Sequence, residues 1–277
     1  MKAQPALTAS ILRRFHSTAL SEFDKTLCEL FIGAFFFAMR SCEYVQVQGQ
    51  RRTKLLCLRN ISFFKKRQRL IPSDPGLHKA LHKADCVSIT FELQKKDAKF
   101  DMVSQHRSND PLLCPVNIWA KIVKRIYSYP TSSPDTPVNT YFFSEDSQNL
   151  FSGKELLSRI RIAAKSIGEE VLGFPPESIG LHSARSGAAM AMYLGGVPVF
   201  TIMLLGRWSS DAFLRYIRKQ VQEFSSGVSK KMIANERFFT ICSLPSSQEI
   251  GSSRCSSSNI GPNFRATVRS LANAIRA

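Results

Sequence analysis

Hydrophobic positions follow a helical period over most of the chain and a strand period over a short part of it. From Ser21 the residues are apolar on nearly every side through Phe35 and Ala38, which predicts a buried central helix. The same segment opens with the pattern S-x-x-D, in which Asp24 stands three residues after Ser21, as is typical of a helix N-terminus. We therefore expect this helix to form the middle of the core.

Strand-like patterns follow this helix. Residues 54–64 are rich in Leu, Ile and Phe and predict a strand. Residues 87–93 and 100–104 indicate the two strands of a β-hairpin, with the polar segment 95–99 at its tip. We expect a small antiparallel sheet inserted near the start of the domain.

Start and stop signals predict several further helices. Pro115 favours a helix start, and the capping box from Ser152 to Glu155 indicates another. Short helices are expected over residues 182–194 and 198–205, each followed by glycine, and a third over residues 210–217. The predicted fold class is α+β, mainly α with a small antiparallel sheet.

Charge and composition narrow the class of molecule that the protein is expected to bind. The 277 residues include 38 Lys and Arg against 21 Asp and Glu, a formal charge of +17, in a chain with the 44% hydrophobic content of a globular protein. Such a surface fits a polyanion, either nucleic acid or an anionic membrane. The longest apolar run, residues 30–39, is shorter than the ~20 residues that cross a bilayer. We therefore expect no membrane-spanning segment.

Cysteine spacing and motif content bear on the compartment and on cofactors. The seven cysteines are scattered without a C-x-x-C pair, as is typical of a reducing compartment such as the cytosol, nucleus or nucleoid. The sequence contains no glycine-rich nucleotide-binding, zinc-protease or EF-hand motif. His78 and His82 have the spacing of metal ligands, but we favour a solvated helix there. We predict no cofactor and no metal.

Two segments near the end of the predicted domain combine side chains suited to phosphodiester chemistry. His182 and Arg185 are three residues apart on a predicted helix, so both project from one face. Tyr216 follows one short helix later, between Arg215 and Arg218. An arginine binds two phosphate oxygens in a fixed geometry. A positive site with a histidine and a phenol is what nucleophilic attack on a phosphodiester requires.

These motifs resemble the tyrosine recombinase (phage integrase) family. The order is H-x-x-R at His182, then G-x-W at Trp208, then Tyr216 eight residues later. The sequence His-Ser-Ala-Arg-x-Gly-Ala-Ala is similar to Cre-like catalytic domains, and the longer stretch is similar to recombinases of Crypton-type or DIRS-type mobile elements. The resemblance covers residues 20–240, roughly the length of one catalytic domain.

The resemblance implies a role for each motif residue. Tyr216 would be the nucleophile, and His182 would assist proton transfer at its phenol. Arg40, at the end of the predicted buried helix, and Arg185 would hold the non-bridging phosphate oxygens. Glu43, three residues after Arg40, would orient that arginine.

The family also has a catalytic lysine in a β-hairpin, and this sequence offers three candidates. Lys95, Lys96 and Lys99 all lie in the predicted tip, and we choose Lys95 because it directly follows the strand. The others, together with three arginines near the tyrosine, are predicted DNA contacts: Lys96, Lys99, Arg207, Arg215 and Arg218.

One position of the motif is open to two assignments. Trp208 occupies the position that is His or Trp in the family, although its separation from Tyr216 is one residue shorter than in Cre-like members. If the register is counted back from Tyr216, Arg207 takes that position instead.

The function implied by the resemblance is site-specific cutting and rejoining of duplex DNA through a 3′-phosphotyrosyl intermediate, without metal or ATP. Strand exchange implies a tetramer on DNA, and the apolar positions of residues 224–235 make that segment the candidate for contact with a neighbouring protomer. Two alternatives stay open. One is a non-catalytic DNA-binding protein derived from a truncated recombinase, and the other is a type IB topoisomerase-like enzyme.

The predicted organisation has three parts. Residues 1–19 form a lead-in in which the family's DNA-clamping domain is absent or truncated, residues 20–242 form the catalytic domain, and residues 243–277 form a Ser-rich polar tail. We expect the nucleus if the host is eukaryotic, which the mobile-element resemblance favours, and bacterial cytoplasm or nucleoid otherwise.

Overall fold

One buried helix organises the fold. The computed structural model describes residues 5–48, 53–70, 80–92, 101–144 and 147–208, with the side chains of 142–148 left aside. Helix α2 (Glu22–Phe36) buries nine of its 15 residues. Its predicted N-terminus is confirmed, because the Ser21 hydroxyl accepts a hydrogen bond from the Asp24 N–H at 3.0 Å. The helix ends earlier than expected, since Ala38 adopts a left-handed conformation with φ of 44°.

In the part of the chain that the structure describes, four helices make the main contacts with α2. Two of them begin where the sequence predicts, after the Ser152 capping box and at Pro115. Trp119 is fully buried against α2, where a Cβ on Gly33 would lie 3.1 Å from its ring. The four helices are α1 (Ala9–Thr18), α4 (Pro115–Tyr127), α5 (Gly153–Ile167) and α7 (Ser183–Leu194).

An antiparallel sheet of four strands adds a layer beside these helices. Its order is β2-β1-β3-β4, so the chain-adjacent β3 and β4 form the predicted hairpin. Residues on one face, such as Phe63 of β1 and Ile89 of β3, are fully buried and join the main core. The strands are β1 (Ile61–Lys65), β2 (Gln68–Leu70), β3 (Cys86–Phe91) and β4 (Asp101–His106).

The structure corrects the predicted limits of the first strand. Residues 54–60 do not extend β1, because Leu58–Asn60 forms a 3-10 turn in which the Asn60 side chain accepts the Cys57 N–H at 2.8 Å. Strand β2 was not predicted from its basic sequence. The hairpin tip, residues 95–99, lies outside the described residues.

The remaining elements are short. Helix α8 (Val199–Gly206) and helix α7 each lie within one residue of the predicted bounds. A second hairpin, β5 (Thr140–Ser144) with β6 (Ser147–Leu150), and the helix α6 (Glu169–Leu172) were not predicted. The predicted segments 210–217 and 224–235 lie outside the described residues.

The predicted fold class is confirmed: the chain is mainly helical with small antiparallel sheets. Helix α1 contributes Ile11, Leu12 and Phe15 to the same core as α2. The domain boundaries at residues 19 and 242 stay predictions. In the ranges that the structure describes, no helix combines the length and apolar character needed to cross a membrane.

Helix α7 lies unusually close to the chain segment that precedes α1. Its residues Ser183 through Met190 are all buried, and Gly187 faces the main chain of Leu7. A Cβ placed on Gly187 would lie 2.8 Å from the Leu7 nitrogen, closer than real Cβ atoms approach. The absence of a side chain at this position therefore allows α7 to sit deep in the core.

Replacing Gly187 with alanine should destabilise the fold. Helix propensity alone favours alanine by about 1 kcal/mol, but overlap with rigid main chain costs about 1–3 kcal/mol. We expect a net loss in the free energy of unfolding, measured by urea denaturation. Ala191→Gly, at an exposed position of the same helix, isolates the propensity contribution. A Gly187→Ala variant more stable than the parent would contradict the close approach.

Candidate functional site

Arg40 stands at the start of a short helix and not, as the sequence suggested, at the end of the buried one. After α2 ends, the Met39 N–H bonds to the Ala34 carbonyl, and Arg40 then precedes α3 (Ser41–Tyr44). The Arg40 main-chain N–H donates to Glu43 Oε2 at 2.8 Å, and its Nη1 donates to Glu43 Oε1 at 3.0 Å. Arg40 is therefore held at both its main chain and its side chain by one carboxylate.

The Glu43 carboxylate is buried between two arginines. Its side chain is 1% exposed, and besides Arg40 it accepts a hydrogen bond from Arg207 Nη2 at 2.7 Å. Arg40 Nη2 in turn donates to the Arg207 carbonyl at 3.2 Å. Three charged side chains thus form one closed set of contacts, with a net charge of +1.

Arg207 lies buried at the end of α8. Its side chain is 2% exposed, its Nη1 donates to the Phe37 carbonyl at 3.1 Å, and its guanidinium carbon lies 3.6 Å from the centre of the Phe91 ring. Burial lowers the pKa of Arg207, while the Glu43 carboxylate acts in the opposite direction. The predicted role of Arg207 as a DNA contact does not fit this placement, because its guanidinium faces the protein interior.

Arg185 projects from α7 and connects two other helix ends. It is 3% exposed, its Nη2 donates to the Gly206 carbonyl at 2.6 Å, and its Nη1 donates to the Ala38 carbonyl. The Trp208 ring covers it, with the guanidinium carbon 4.2 Å from the ring centre. Arg185 therefore ties the turn after α2 to the end of α8.

The Trp208 ring folds back over the end of α8. The Trp208 N–H bonds to the Met203 carbonyl at 2.9 Å, which turns the chain back on the helix. A Cβ on Gly206 would overlap the indole ring. Glycine at this position is therefore what permits the ring to cover Arg185.

His182 occupies the N-cap position of α7 and completes the cluster. Its surface is exposed to solvent, and its pKa is lowered first by desolvation from the protein around it and then by the charges of Arg185 and Arg40. Arg40 and Arg185 donate to the consecutive carbonyls of Arg207 and Gly206, and both lower the pKa of His182, so the three predicted residues lie in one positive site. The lowered pKa favours the neutral imidazole, which is the form that can accept a proton.

The base of the β3–β4 hairpin borders this site. Phe91 and Asp101 face each other at the last described pair of the two strands. The Phe91 ring lies on Arg207, and the charge of Asp101 raises the pKa of the same arginine. The end of the sheet from which the predicted lysine segment continues thus adjoins the arginine cluster.

The remaining predicted site residues are not located by the structure. They are the nucleophile, the lysines of the hairpin tip and two arginines, and all lie outside the described residues: Lys95, Lys96, Lys99, Arg215, Tyr216 and Arg218. Their roles stay predictions. Among the described residues, no group of three or more His, Cys, Asp or Glu side chains could hold a metal ion.

Two contributors to the site were missed in the sequence. The contact of Arg207 with Glu43 joins residues 164 positions apart, and no local pattern indicates it. Phe91 was assigned only to a strand. The sequence named Arg207 as an alternative for the motif position and as a DNA contact, but not as a partner of Glu43.

Comparisons with known proteins identify the fold. Neither a protein-family model nor a curated protein matches the chain. Two crystal structures of the XerH site-specific recombinase are similar to it. The post-cleavage complex with palindromic difH has a TM-score of 0.50 and 16% identity over 83% of this chain and 54% of that one. The pre-cleavage complex with difH has a TM-score of 0.51 and 14% identity over 81% and 53%.

The fold is therefore that of the tyrosine recombinases. At such low identity the similarity establishes the fold alone. The chain spans about half the length of the XerH chains that it matches.

The His182 imidazole should titrate below 6.5 in the folded protein, since desolvation and two nearby cations disfavour its charged form. NMR titration of the imidazole resonances measures this, with His182→Gln identifying the signal. Between the lowered pKa and 6.5 the unfolded chain binds more protons, so the contribution of His182 to stability rises with pH and His182→Gln removes that rise. A midpoint at or above 6.5 would refute the prediction.

Gly206→Ala should displace the Trp208 ring from Arg185, because the added methyl group takes the space of the indole. We expect a red shift in tryptophan emission and stronger quenching by acrylamide. Trp119 is the second tryptophan, so the same change in a Trp208→Phe background is the control and should leave emission unaltered. If Gly206→Ala changed the emission equally with and without Trp208→Phe, the change would not come from the Trp208 ring.

Proposed function

We propose that the protein is a site-specific DNA recombinase that cuts and rejoins duplex DNA through a 3′-phosphotyrosyl intermediate, without metal or ATP. The observation that supports this most is the convergence of Arg40, His182 and Arg185 in one positive cluster within a tyrosine recombinase fold. Arg40 precedes α3, whereas His182 and Arg185 stand at the start of α7, so the approach of Arg40 to the other two is not a consequence of sequence proximity.

The first chemical step in this proposal is attack by the Tyr216 phenol oxygen on the scissile phosphorus. A tyrosyl O–P bond forms, the bond from phosphorus to the 5′-oxygen breaks, and Lys95 protonates that oxygen. His182 accepts the phenol proton, a role that its lowered pKa suits. A 5′-hydroxyl of another strand reverses the step, so one phosphoester replaces another and no energy source is consumed.

Arg40 and Arg185 stabilise the charge that grows on the non-bridging oxygens. Arg40 is 21% exposed, and the group of Arg40, Arg207 and Glu43 has a formal charge of +1, which favours a phosphate. A preorganised donor of this kind contributes about 10²–10³ in rate. Trp208, stacked on Arg185, sets the wall of the site on that side.

The proposed partner is duplex DNA, in keeping with the +17 charge and with the difH substrate bound by XerH in the similar structures. A tetramer assembles on it through residues 224–235, with Lys96, Lys99, Arg215 and Arg218 on the DNA. Origin in a Crypton-type or DIRS-type element and a nuclear location rest on the sequence resemblance alone.

One observation favours a second candidate, a non-catalytic DNA-binding protein of this fold. Both terminal nitrogens of Arg185 donate to main-chain carbonyls, and an indole covers the guanidinium. A phosphate must displace these contacts to gain a full set of hydrogen bonds from Arg185. If they are permanent, the site binds DNA without cleaving it.

Trapping of a covalent adduct tests the proposal. Duplexes with a fixed nick and randomised flanks act as suicide substrates, because the short 5′-hydroxyl fragment beyond a cut diffuses away. We expect an SDS-resistant protein–DNA adduct that Tyr216→Phe abolishes and that Arg40→Ala reduces about 10²–10³-fold. Tyr193→Phe, on α7, is the matched control and should retain the adduct.

The outcomes separate the candidates. Salt-dependent DNA binding without any adduct supports the non-catalytic protein. Adduct with relaxation of supercoiled plasmid but no strand exchange indicates a type IB topoisomerase-like activity. Adduct that persists in Tyr216→Phe overturns the assignment of the nucleophile.

A further inference from the structure

We propose that Arg207 is a positioning residue that limits Arg40 to one guanidinium bond with the buried Glu43 carboxylate by occupying the opposite side of that carboxylate. The inference rests on the proposed function for its catalytic consequence, and on the described contacts for its geometry. It assigns to Arg207 a role inside the protein in place of the predicted DNA contact.

The two oxygens of the Glu43 carboxylate have different hydrogen-bond partners. Glu43 Oε1 receives Arg40 Nη1, whereas Oε2 receives Arg207 Nη2 and the Arg40 main-chain N–H. Because Arg207 fills Oε2, Arg40 bonds to Glu43 through a single guanidinium nitrogen. A guanidinium and a carboxylate left alone favour two parallel bonds.

The number of arginines around Glu43 also sets the charge of the group. One arginine would neutralise the buried Glu43 carboxylate. Because two arginines contact it, the three side chains together have a formal charge of +1. The exposed fractions of the two side chains differ tenfold, 21% for Arg40 and 2% for Arg207, so Arg40 is the cation of the pair that lies nearer to solvent. Arg207 therefore neutralises Glu43 from the interior and leaves Arg40 as the cation that faces solvent.

The backbone of Arg207 supports the same function. Its φ is 55°, a left-handed conformation in which glycine is strongly preferred at the end of a helix. The conformation directs the Arg207 carbonyl to Arg40 Nη2 and its side chain to Glu43. An arginine at a position suited to glycine indicates that the side chain serves a purpose there.

The Arg207 side chain is also fixed from its other sides. The Phe37 carbonyl accepts a bond from Nη1, and the Phe91 ring lies against the guanidinium plane. Lysine can reach a carboxylate but cannot reproduce this fork and stacking together. Because Phe91 lies at the base of the β3–β4 hairpin, the hairpin contacts the Arg207 side chain that positions Arg40.

Arg207→Gly is the most informative substitution, because glycine suits the left-handed backbone and retains the carbonyl that contacts Arg40. We expect the Arg40 guanidinium to turn into a two-bond contact with Glu43. The rate of adduct formation at saturating DNA should fall about 10–10²-fold, with DNA affinity changed less than about twofold. Arg67→Gly, a surface arginine with φ of 69°, is the matched control.

A double-mutant cycle distinguishes positioning from general structural damage. Glu43→Gln removes the charge that draws Arg40 away, so Arg207→Gly combined with Glu43→Gln should react faster than Arg207→Gly alone. A merely destabilised protein would react more slowly with each added change. Arg207→Lys, which retains the ion pair, should recover part of the rate and serves if Arg207→Gly fails to fold.

A second measurement does not depend on catalysis. Crystal structures and ¹⁵N NMR of the arginine side chains, with and without Arg207→Gly and in the absence of DNA, report where the Arg40 guanidinium lies. An Arg40 contact unchanged in Arg207→Gly, or an adduct rate equal to that of the parent, overturns the inference. If the parent itself forms no adduct, the proposed function fails, and the position of Arg40 still decides the role of Arg207.

Discussion

The site depends on one constraint: the positive charges of its arginines must be balanced by acceptor groups inside the protein. Three arginines converge there, and two of them are almost fully buried. Buried cations require close partners of opposite charge or polarity. One carboxylate, Glu43, serves two of the arginines, and main-chain carbonyls at the ends of α2 and α8 serve the rest.

Those carbonyls are available because two helices stop abruptly at the site. The last carbonyls of a helix have no partner within it and lie at the negative end of its dipole. Ala38 and Arg207, both in left-handed conformations, end α2 and α8 and turn these groups toward the guanidinium groups. Backbone conformation thus supplies part of the electrostatic balance that a second carboxylate would otherwise provide.

Features that depend on residues close together in the sequence could be predicted, whereas features that depend on distant residues could not. Helix starts at Ser21 and Ser152 depend on contacts within three residues, so local patterns predicted them. The Arg40–Glu43 pair was predicted through the family resemblance. The limit of β1 depends on an Asn60 side-chain bond that no periodicity encodes. The burial of Arg207 depends on Glu43 and Phe91, both distant in the chain, and was therefore missed.

Arg40 and Arg185, the two candidates for phosphate binding, differ in how accessible they are to a ligand. Arg40 is partly exposed, whereas Arg185 is enclosed by two carbonyls and an indole. Under the proposed function a phosphate meets Arg40 first and reaches Arg185 only after contacts at the end of α8 rearrange. Because Gly206 and Trp208 lie at that end, movement there would decide when the second arginine joins the reaction. Along the sequence, Tyr216, the nucleophile of the proposed function, follows Trp208 by eight residues.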